Sequence, residues 1–126
     1  MSILGLGSDI INIQRIEKIL KNNKEKFLKK IFNPKESIPN QNITEFVAKN
    51  FAVKEAFSKA LGSGIGKVIN FKEILVSRNR AGAPIIKLVK KAELRILKKF
   101  KVKKVNYLVS VSDDYPFAFA IVVISK

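Results

Sequence analysis

The 126-residue chain contains no cysteine and no histidine, and each absence removes a class of chemistry. Without cysteine there can be no disulfide, no zinc thiolate site and no thiol nucleophile. Without histidine, no imidazole is available as a general base. The longest apolar run, residues 117–124, is far shorter than the roughly 18–20 residues that span a bilayer. No cleavable signal is visible, so we expect a cytoplasmic protein without a membrane segment.

Acidic residues are also scarce, since 10 Asp and Glu face 25 Lys and Arg and leave a net charge of +15. Such an excess attracts acidic partners. Nucleic acid is the commonest such partner, but an acidic protein or an anionic cofactor would use the same field, and charge alone does not choose between them. Hydrophobic residues make up 47% of the chain, which argues against disorder. The length predicts a single domain over residues 1–126.

The order of the predicted elements indicates an α+β fold without repeats or linkers. The predicted elements are a strand at 3–11, a helix from an Asn12 cap to about Leu20, a helix at 24–32, a helix start at 33–36, a long helix capped by Thr44, strands at 73–77 and 84–88, a helix at 90–100, and strands at 105–112 and 117–125. The last strand is apolar throughout, so we expect both of its faces to be covered, one of them by another subunit.

The most informative segment is FAVKEAFSKALGSG at residues 51–64. Glu55 and Lys59 stand four residues apart and project from one helix face. One can hold a divalent cation while the other neutralises a phosphate. The turn Gly62-Ser63-Gly64 lets backbone approach a bulky anion, because glycine has no Cβ. On spacing alone, a solvated helix pair followed by an ordinary C-cap explains the same residues.

A second acidic element lies near the N-terminus. Asp9 follows the glycines Gly5 and Gly7 of the first predicted strand, and glycines within a strand often mark the close approach of another backbone or a ligand. An isolated Asp in such a place is more often a turn or N-cap residue. However, carboxylates from two segments together with substrate phosphates are how Mg²⁺ is usually held.

The two segments together resemble a known family. The motifs GLGSDI at 5–10, RIE at 15–17 and FAVKEAFSKALGSG at 51–64 are similar to those of holo-[acyl-carrier-protein] synthases, the small trimeric class of 4′-phosphopantetheinyl transferases. The resemblance extends from the first strand to the terminal hairpin. It implies an antiparallel sheet packed against a long central helix, assembled as a homotrimer.

The resemblance also implies an activity in fatty acid biosynthesis. Members transfer the phosphopantetheine arm of coenzyme A to a serine of an apo acyl carrier protein, with Mg²⁺, and release adenosine 3′,5′-bisphosphate. Asp9 and Glu55 match the metal ligands, and Lys59 matches a phosphate-contacting lysine. Gly62, Ser63 and Gly64 match the segment beside the coenzyme. The general base stays open between Glu55 and a metal-bound water.

Further residues are assigned by the same resemblance. A basic N-terminal helix docks on the acidic carrier, with Arg15 as the best match and Lys18, Lys26 and Lys30 as helpers. An ordinary solvated face is the alternative for each of these lysines. Asn50 and Leu108 stand where relatives usually carry Arg and His, Ser63 replaces threonine, and the turn before Pro84 lacks a lysine. Lys49 is the candidate to compensate at the coenzyme site for Asn50.

The main alternative function is a small basic RNA- or ribosome-associated binding module, which the net charge of +15 supports. Against it, the aromatic residues sit in apolar stripes, and no aromatic RNA-binding strand motif is present. We therefore expect no nucleic-acid partner. A fold that has lost its activity is a third possibility, which the intact Asp9, Glu55 and Lys59 argue against.

Overall fold

The computed structural model describes residues Met1–Lys126. Its elements, in chain order, are β1 (Ile3–Asn12), α1 (Ile13–Ile31), α2 (Ile43–Ala60), a 3₁₀ turn (Phe71–Glu73), β2 (Ile74–Arg78), β3 (Pro84–Leu88), α3 (Lys90–Phe100), β4 (Asn106–Asp114) and β5 (Phe117–Ser125). One antiparallel sheet has the order β1-β5-β4, and β2 and β3 form a separate hairpin. Helix α2 packs across the three-stranded sheet. The predicted α+β class, with an antiparallel sheet on a long central helix, is confirmed. No helix has the length and apolarity that crossing a membrane requires.

The three-stranded sheet has one covered face and one open face. Along β5, Ala118, Ala120 and Val122 are buried against α2, whereas Phe117 and Phe119 point the other way and stay 48% and 41% exposed. This alternation follows from the two-residue period of a strand. Within one chain α2 covers one face of the last strand, and the predicted cover of its other face by another subunit stays a prediction.

Helix α1 joins the two helices that the sequence predicts. Its N-cap is Asn12, as predicted, because the Gln14 amide donates to Asn12 Oδ1 at 2.8 Å. Asn23 interrupts the helix with φ −144° and ψ 46°. The break falls between the two predicted segments, so α1 consists of two halves that meet at a bend.

Two predicted helix starts are wrong. The segment after Asn33 forms a turn, in which the Glu36 amide donates to the Asn33 carbonyl. The Glu36 side chain points inward to Lys54, and Pro39 follows shortly. Thr44 does not cap α2 either, since the helix begins at Ile43 after Asn42. Asn42 adopts left-handed backbone with φ +53°, a conformation that Asn tolerates better than Thr.

The C-terminal half matches its predictions closely. The bounds of β3, α3 and β5 are as predicted, while β2 begins one residue late because Phe71–Glu73 form a 3₁₀ turn. Strand β4 begins at Asn106 and continues to Asp114, so the turn to β5 is shorter than the four residues predicted. The full pairing of β4 with β5, from Asn106 opposite Ser125 to Asp114 opposite Phe117, explains this extension.

Candidate active site

The site is built where β1 lies directly on α2. A Cβ on Gly5 would overlap the backbone of Ala60, and one on Gly7 would overlap the backbone of Ala56 and Ala60. Only glycine permits this approach. Asp9 shares the face of β1 that carries Gly5 and Gly7, because strand side chains alternate, and its carboxylate therefore reaches the same helix.

Asp9 meets both members of the predicted helix pair. Lys59 Nζ lies 3.1 Å from Asp9 Oδ1, and the Asp9 side chain is 15% exposed. The pKa of Glu55 is raised above its ordinary value, first by burial and then by the negative charge of Asp9, while Lys59 and Arg15 act in the opposite direction. Two carboxylates and two cations from β1, α1 and α2 therefore share one electrostatic site.

The donor set suits a hard cation that brings its own ligands. No group of three or more His, Cys, Asp or Glu side chains is arranged so that it could hold a metal ion. Asp9 opposes the ionisation of Glu55, and a divalent cation between the two carboxylates would relieve that repulsion. Mg²⁺ commonly binds through one or two carboxylates, with water and substrate phosphates completing the shell. Asp9 and Glu55 fit that pattern.

The glycine turn ends α2 beside this site. Gly62 and Gly64 adopt left-handed backbone with φ +80° and +72°, and neither has any atom within 4 Å of the position of a Cβ. The Gly62 amide donates to the Lys59 carbonyl at 2.9 Å and the Gly64 amide to the Ser58 carbonyl at 3.2 Å. Ser63 Oγ donates to the Gly64 carbonyl. The turn thus leaves open space above two glycines, but its own hydrogen bonds already use both of their amides and the serine hydroxyl.

The predicted docking residues divide into two groups. Arg15, Lys30 and Glu55 line one groove between α1 and α2, together with apolar side chains that include Phe27 and Phe51. Lys18 lines a separate polar depression with Arg15 at the start of α1. Lys26 lies at a basic depression around the bend of α1. The structure therefore brings Arg15 and Lys30 to Glu55 and leaves Lys18 and Lys26 on neighbouring surface.

Lys49 forms an ion pair with a residue of β4, unlike the other predicted coenzyme residues. Its Nζ lies 3.6 Å from Asp113 Oδ1 on β4, whereas Lys59 pairs with Asp9. Asn50 is buried and its side-chain amide donates to the Phe46 carbonyl. Leu108 is 50% exposed on the open sheet face.

Two features near the site were not predicted. Lys54 is fully buried and pairs with Glu36, and a depression lined by Lys35, Arg78 and Lys87 lies beside Asn50. The sequence did carry one signal, because Lys54 lies next to the apolar positions that α2 turns inward. A lysine at this position is buried only where a partner compensates its charge. That partner, Glu36, lies in a distant turn.

The fold and the site together define an α+β protein whose two carboxylates and two cations suit a phosphate-bearing ligand. Residues 5–120 match the family described as the 4′-phosphopantetheinyl transferase superfamily. A holo-[acyl-carrier-protein] synthase of Pelagibacter ubique is 39% identical over 100% of this chain and 99% of its own length.

Solved structures agree. The crystal structure of holo-[acyl-carrier-protein] synthase from Neisseria meningitidis superimposes with a TM-score of 0.86 at 31% identity, covering 98% of this chain and 99% of that one. The Helicobacter pylori synthase in complex with coenzyme A gives a TM-score of 0.82 at 39% identity, covering 95% and 99%. The chain therefore belongs to the 4′-phosphopantetheinyl transferase superfamily. These similarities favour the transferase prediction over the RNA-binding alternative.

Proposed function

We propose that this chain transfers the 4′-phosphopantetheine group of coenzyme A to a serine of an apo acyl carrier protein in fatty acid biosynthesis, releasing adenosine 3′,5′-bisphosphate. Full-length similarity to holo-[acyl-carrier-protein] synthases supports this function, as does a similar fold in a coenzyme A complex. The observation that carries it is the cluster in which Asp9 meets Lys59 and raises the pKa of Glu55.

Asp9 and Glu55 are the residues that would hold Mg²⁺. When bound, the cation polarises the diphosphate and stabilises charge on the leaving phosphate. Lys59 would supply a point charge to the same phosphates; its side chain is 53% exposed, and its ammonium pairs with Asp9 in the metal-free protein. The open space above Gly62 and Gly64 gives the coenzyme access to the end of α2. Ser63 and Lys49 complete the proposed coenzyme contacts.

The acceptor serine must lose a proton, and the chain has no histidine to take it. Glu55 is the carboxylate whose pKa is raised, by burial and by Asp9. A divalent cation held by Glu55 would stabilise the ionised carboxylate and counteract this rise. Both Glu55 and a metal-bound water therefore stay candidates for the proton acceptor, and the two differ in whether Glu55 appears in the pH dependence of transfer.

The acidic carrier is proposed to dock along α1. Arg15 and Lys30 line the groove that contains Glu55, so an acidic helix placed there would present its serine to the carboxylate. Lys18 and Lys26 extend the positive surface on either side of this groove. The net charge of +15 also speeds encounter with an acidic protein.

We further propose that the active assembly is a homotrimer of single-domain chains that works in the cytoplasm. The open face of the three-stranded sheet supports assembly because it exposes large apolar side chains. These are Leu6, Ile10, Leu108, Phe117 and Phe119, between 41% and 64% exposed. A contiguous apolar patch of this kind marks an interface more often than a free surface.

The test is intact mass spectrometry of an apo acyl carrier protein incubated with the chain, coenzyme A and Mg²⁺. We expect a mass gain equal to one phosphopantetheine, abolished by EDTA. The carrier must be one that a known transferase modifies, which serves as the positive control. No gain on such a carrier would contradict the proposed function. RNA binding by the same preparation would then favour the basic binding module.

A further inference from the structure

A fully buried ion pair lies behind the candidate active site. Lys54 has no exposed surface, and its Nζ lies 2.6 Å from Glu36 Oε1. The same ammonium donates to the Ile31 carbonyl at 2.7 Å. Burial lowers the pKa of Lys54, and the hydrogen bond and charge of Glu36 counteract that effect. Buried lysines are rare because removing the charge from water is costly.

The Glu36 carboxylate accepts two further hydrogen bonds. Its Oε1 also accepts from the Asn33 amide at 3.0 Å, and its Oε2 accepts from the Val76 amide at 2.9 Å. The pair therefore joins the C-terminus of α1, the turn after it, α2 and β2. Both oxygens of the carboxylate therefore have hydrogen-bond partners. We call these two side chains the Lys54–Glu36 junction.

Stability alone does not explain this junction. Buried ion pairs can often be replaced by apolar side chains of similar volume with little loss of stability, whereas their directional bonds specify one arrangement of the segments they join. The neighbouring contact of Phe27 with Phe51, with ring centroids 6.0 Å apart, is apolar and non-directional. The junction adds the directional restraint that this contact lacks.

The segment held by the junction is the second half of α1. Asn23 breaks the helical backbone, so residues 24–31 form a second helical segment after a kink. Their last carbonyl, that of Ile31, is bound by Lys54, which satisfies one of the carbonyls that a helix end leaves open. Lys54 directly precedes Glu55 on α2, so one short stretch of backbone holds both the junction and the candidate catalytic carboxylate.

We propose that Lys54 and Glu36 are positioning residues that fix the second half of α1 relative to Glu55 and thereby set the affinity for the acceptor carrier protein. The inference rests on the proposed function, because Lys26 and Lys30 lie on this half and Lys30 shares the groove with Glu55. Neither positioning residue touches a substrate. Their effect is on the shape of the docking surface.

The main variant removes both charges together. Lys54→Met alone would leave a buried carboxylate without its cation, which destabilises strongly, so the double variant Lys54→Met, Glu36→Gln is used. Glu36→Asp is the second variant, because it keeps both charges and shortens the arm by one methylene. Ile96→Val on α3, where Ile96 is fully buried, is the control for a loss of stability alone.

Two measurements separate positioning from stability. In steady-state transfer, we expect the double variant to raise KM for the carrier about tenfold while kcat and KM for coenzyme A change less than about twofold. Amide hydrogen exchange at residues 24–31 should quicken about tenfold in the same variant. Glu36→Asp should show both effects to a smaller degree, and Ile96→Val should show neither.

The outcomes are distinct. An unchanged carrier KM in a folded double variant overturns the proposal, as does an equal rise in KM for coenzyme A. If the double variant does not fold, Glu36→Asp decides by the same criteria. Failure of the parent chain to transfer would contradict the proposed function instead. Amide hydrogen exchange at residues 24–31 of the double variant would then test the role of the junction independently of transfer.

Discussion

Lys59 Nζ on α2 lies 3.1 Å from Asp9 Oδ1 on β1, so the helix ammonium and the strand carboxylate neutralise each other. A divalent cation bound at Asp9 would compete with this lysine for the same oxygen. A diphosphate would attract the lysine away from Asp9. The pair would then couple phosphate binding to metal binding, because a phosphate that draws Lys59 away would leave the carboxylate available to a metal.

Lys59→Met should therefore separate metal binding from transfer. We expect transfer to fall at least about 100-fold, because a cation at the phosphates is lost. Affinity for Mn²⁺, used as a probe in the absence of coenzyme A, should rise because Asp9 loses its competing ammonium. Titration calorimetry measures the second effect, and Lys98→Met on the exposed face of α3 is the control. Weaker Mn²⁺ binding in Lys59→Met would contradict the competition.

Glu55→Gln and Asp9→Asn should each lower the rate of transfer at least about 100-fold, while the fold persists. For Glu55 the native protein binds the proton more tightly than the unfolded chain does, since burial and Asp9 raise its pKa. The contribution of Glu55 to the free energy of unfolding therefore falls progressively as the pH rises from the ordinary pKa of glutamate towards the raised pKa. Without metal at pH 7, Glu55→Gln should raise the melting temperature by about 1–3 °C. Near-normal transfer by either variant would refute the metal assignment.

The pKa of Glu55 can be measured directly. Carbon-detected NMR titration of the metal-free protein should place it above the ordinary glutamate value. Asp9→Asn removes a neighbouring negative charge and should lower this pKa, whereas Lys59→Met removes a positive one and should raise it further. Identical titration of Glu55 in all three proteins would show that neither Asp9 nor Lys59 interacts with Glu55.

Gly7→Ala tests the contact that brings Asp9 to α2. The added methyl overlaps the backbone of Ala56 and Ala60, so β1 must move outward, with a cost of about 1–3 kcal/mol and a loss of transfer. Gly82→Ala is the matched control, because its φ of +89° is strained for alanine but the space around it is open. Chemical denaturation and the transfer assay report both effects. Transfer retained in Gly7→Ala would show that this close contact is dispensable.

The open sheet face predicts the effect of a charge on assembly. Phe119→Lys places an ammonium opposite Ile10 in the centre of the exposed apolar face, where burial between subunits would be costly. We expect sedimentation to show monomers in place of trimers. Lys91→Glu, on the exposed side of α3, should leave the mass unchanged. A parent chain that sediments as a monomer would refute the proposed trimer.

Local rules account for much of this fold. Asn12 caps α1 through a side-chain bond that depends only on its neighbours, and α3 follows from its 3.6-residue apolar period. The errors at Thr44 and Asn33 have different origins. Helix α2 begins after Asn42, which adopts a left-handed backbone angle. The segment after Asn33 forms a turn in which the Glu36 side chain bonds to residues 18 and 40 positions away, and a local sequence pattern does not show such distant partners.

The sequence by itself determined the motifs and most of the order of elements, and the glycines at 5 and 7 indicated the close approach of another backbone or a ligand. Only the tertiary structure showed that the neighbour is the backbone of α2. Only the tertiary structure decided that Lys59 meets Asp9, that Asn50 is turned inward, and that Lys54 is buried on Glu36. The two ion pairs join residues 18 and 50 positions apart in the chain. A side chain can reach several partners, and packing of the whole core selects one.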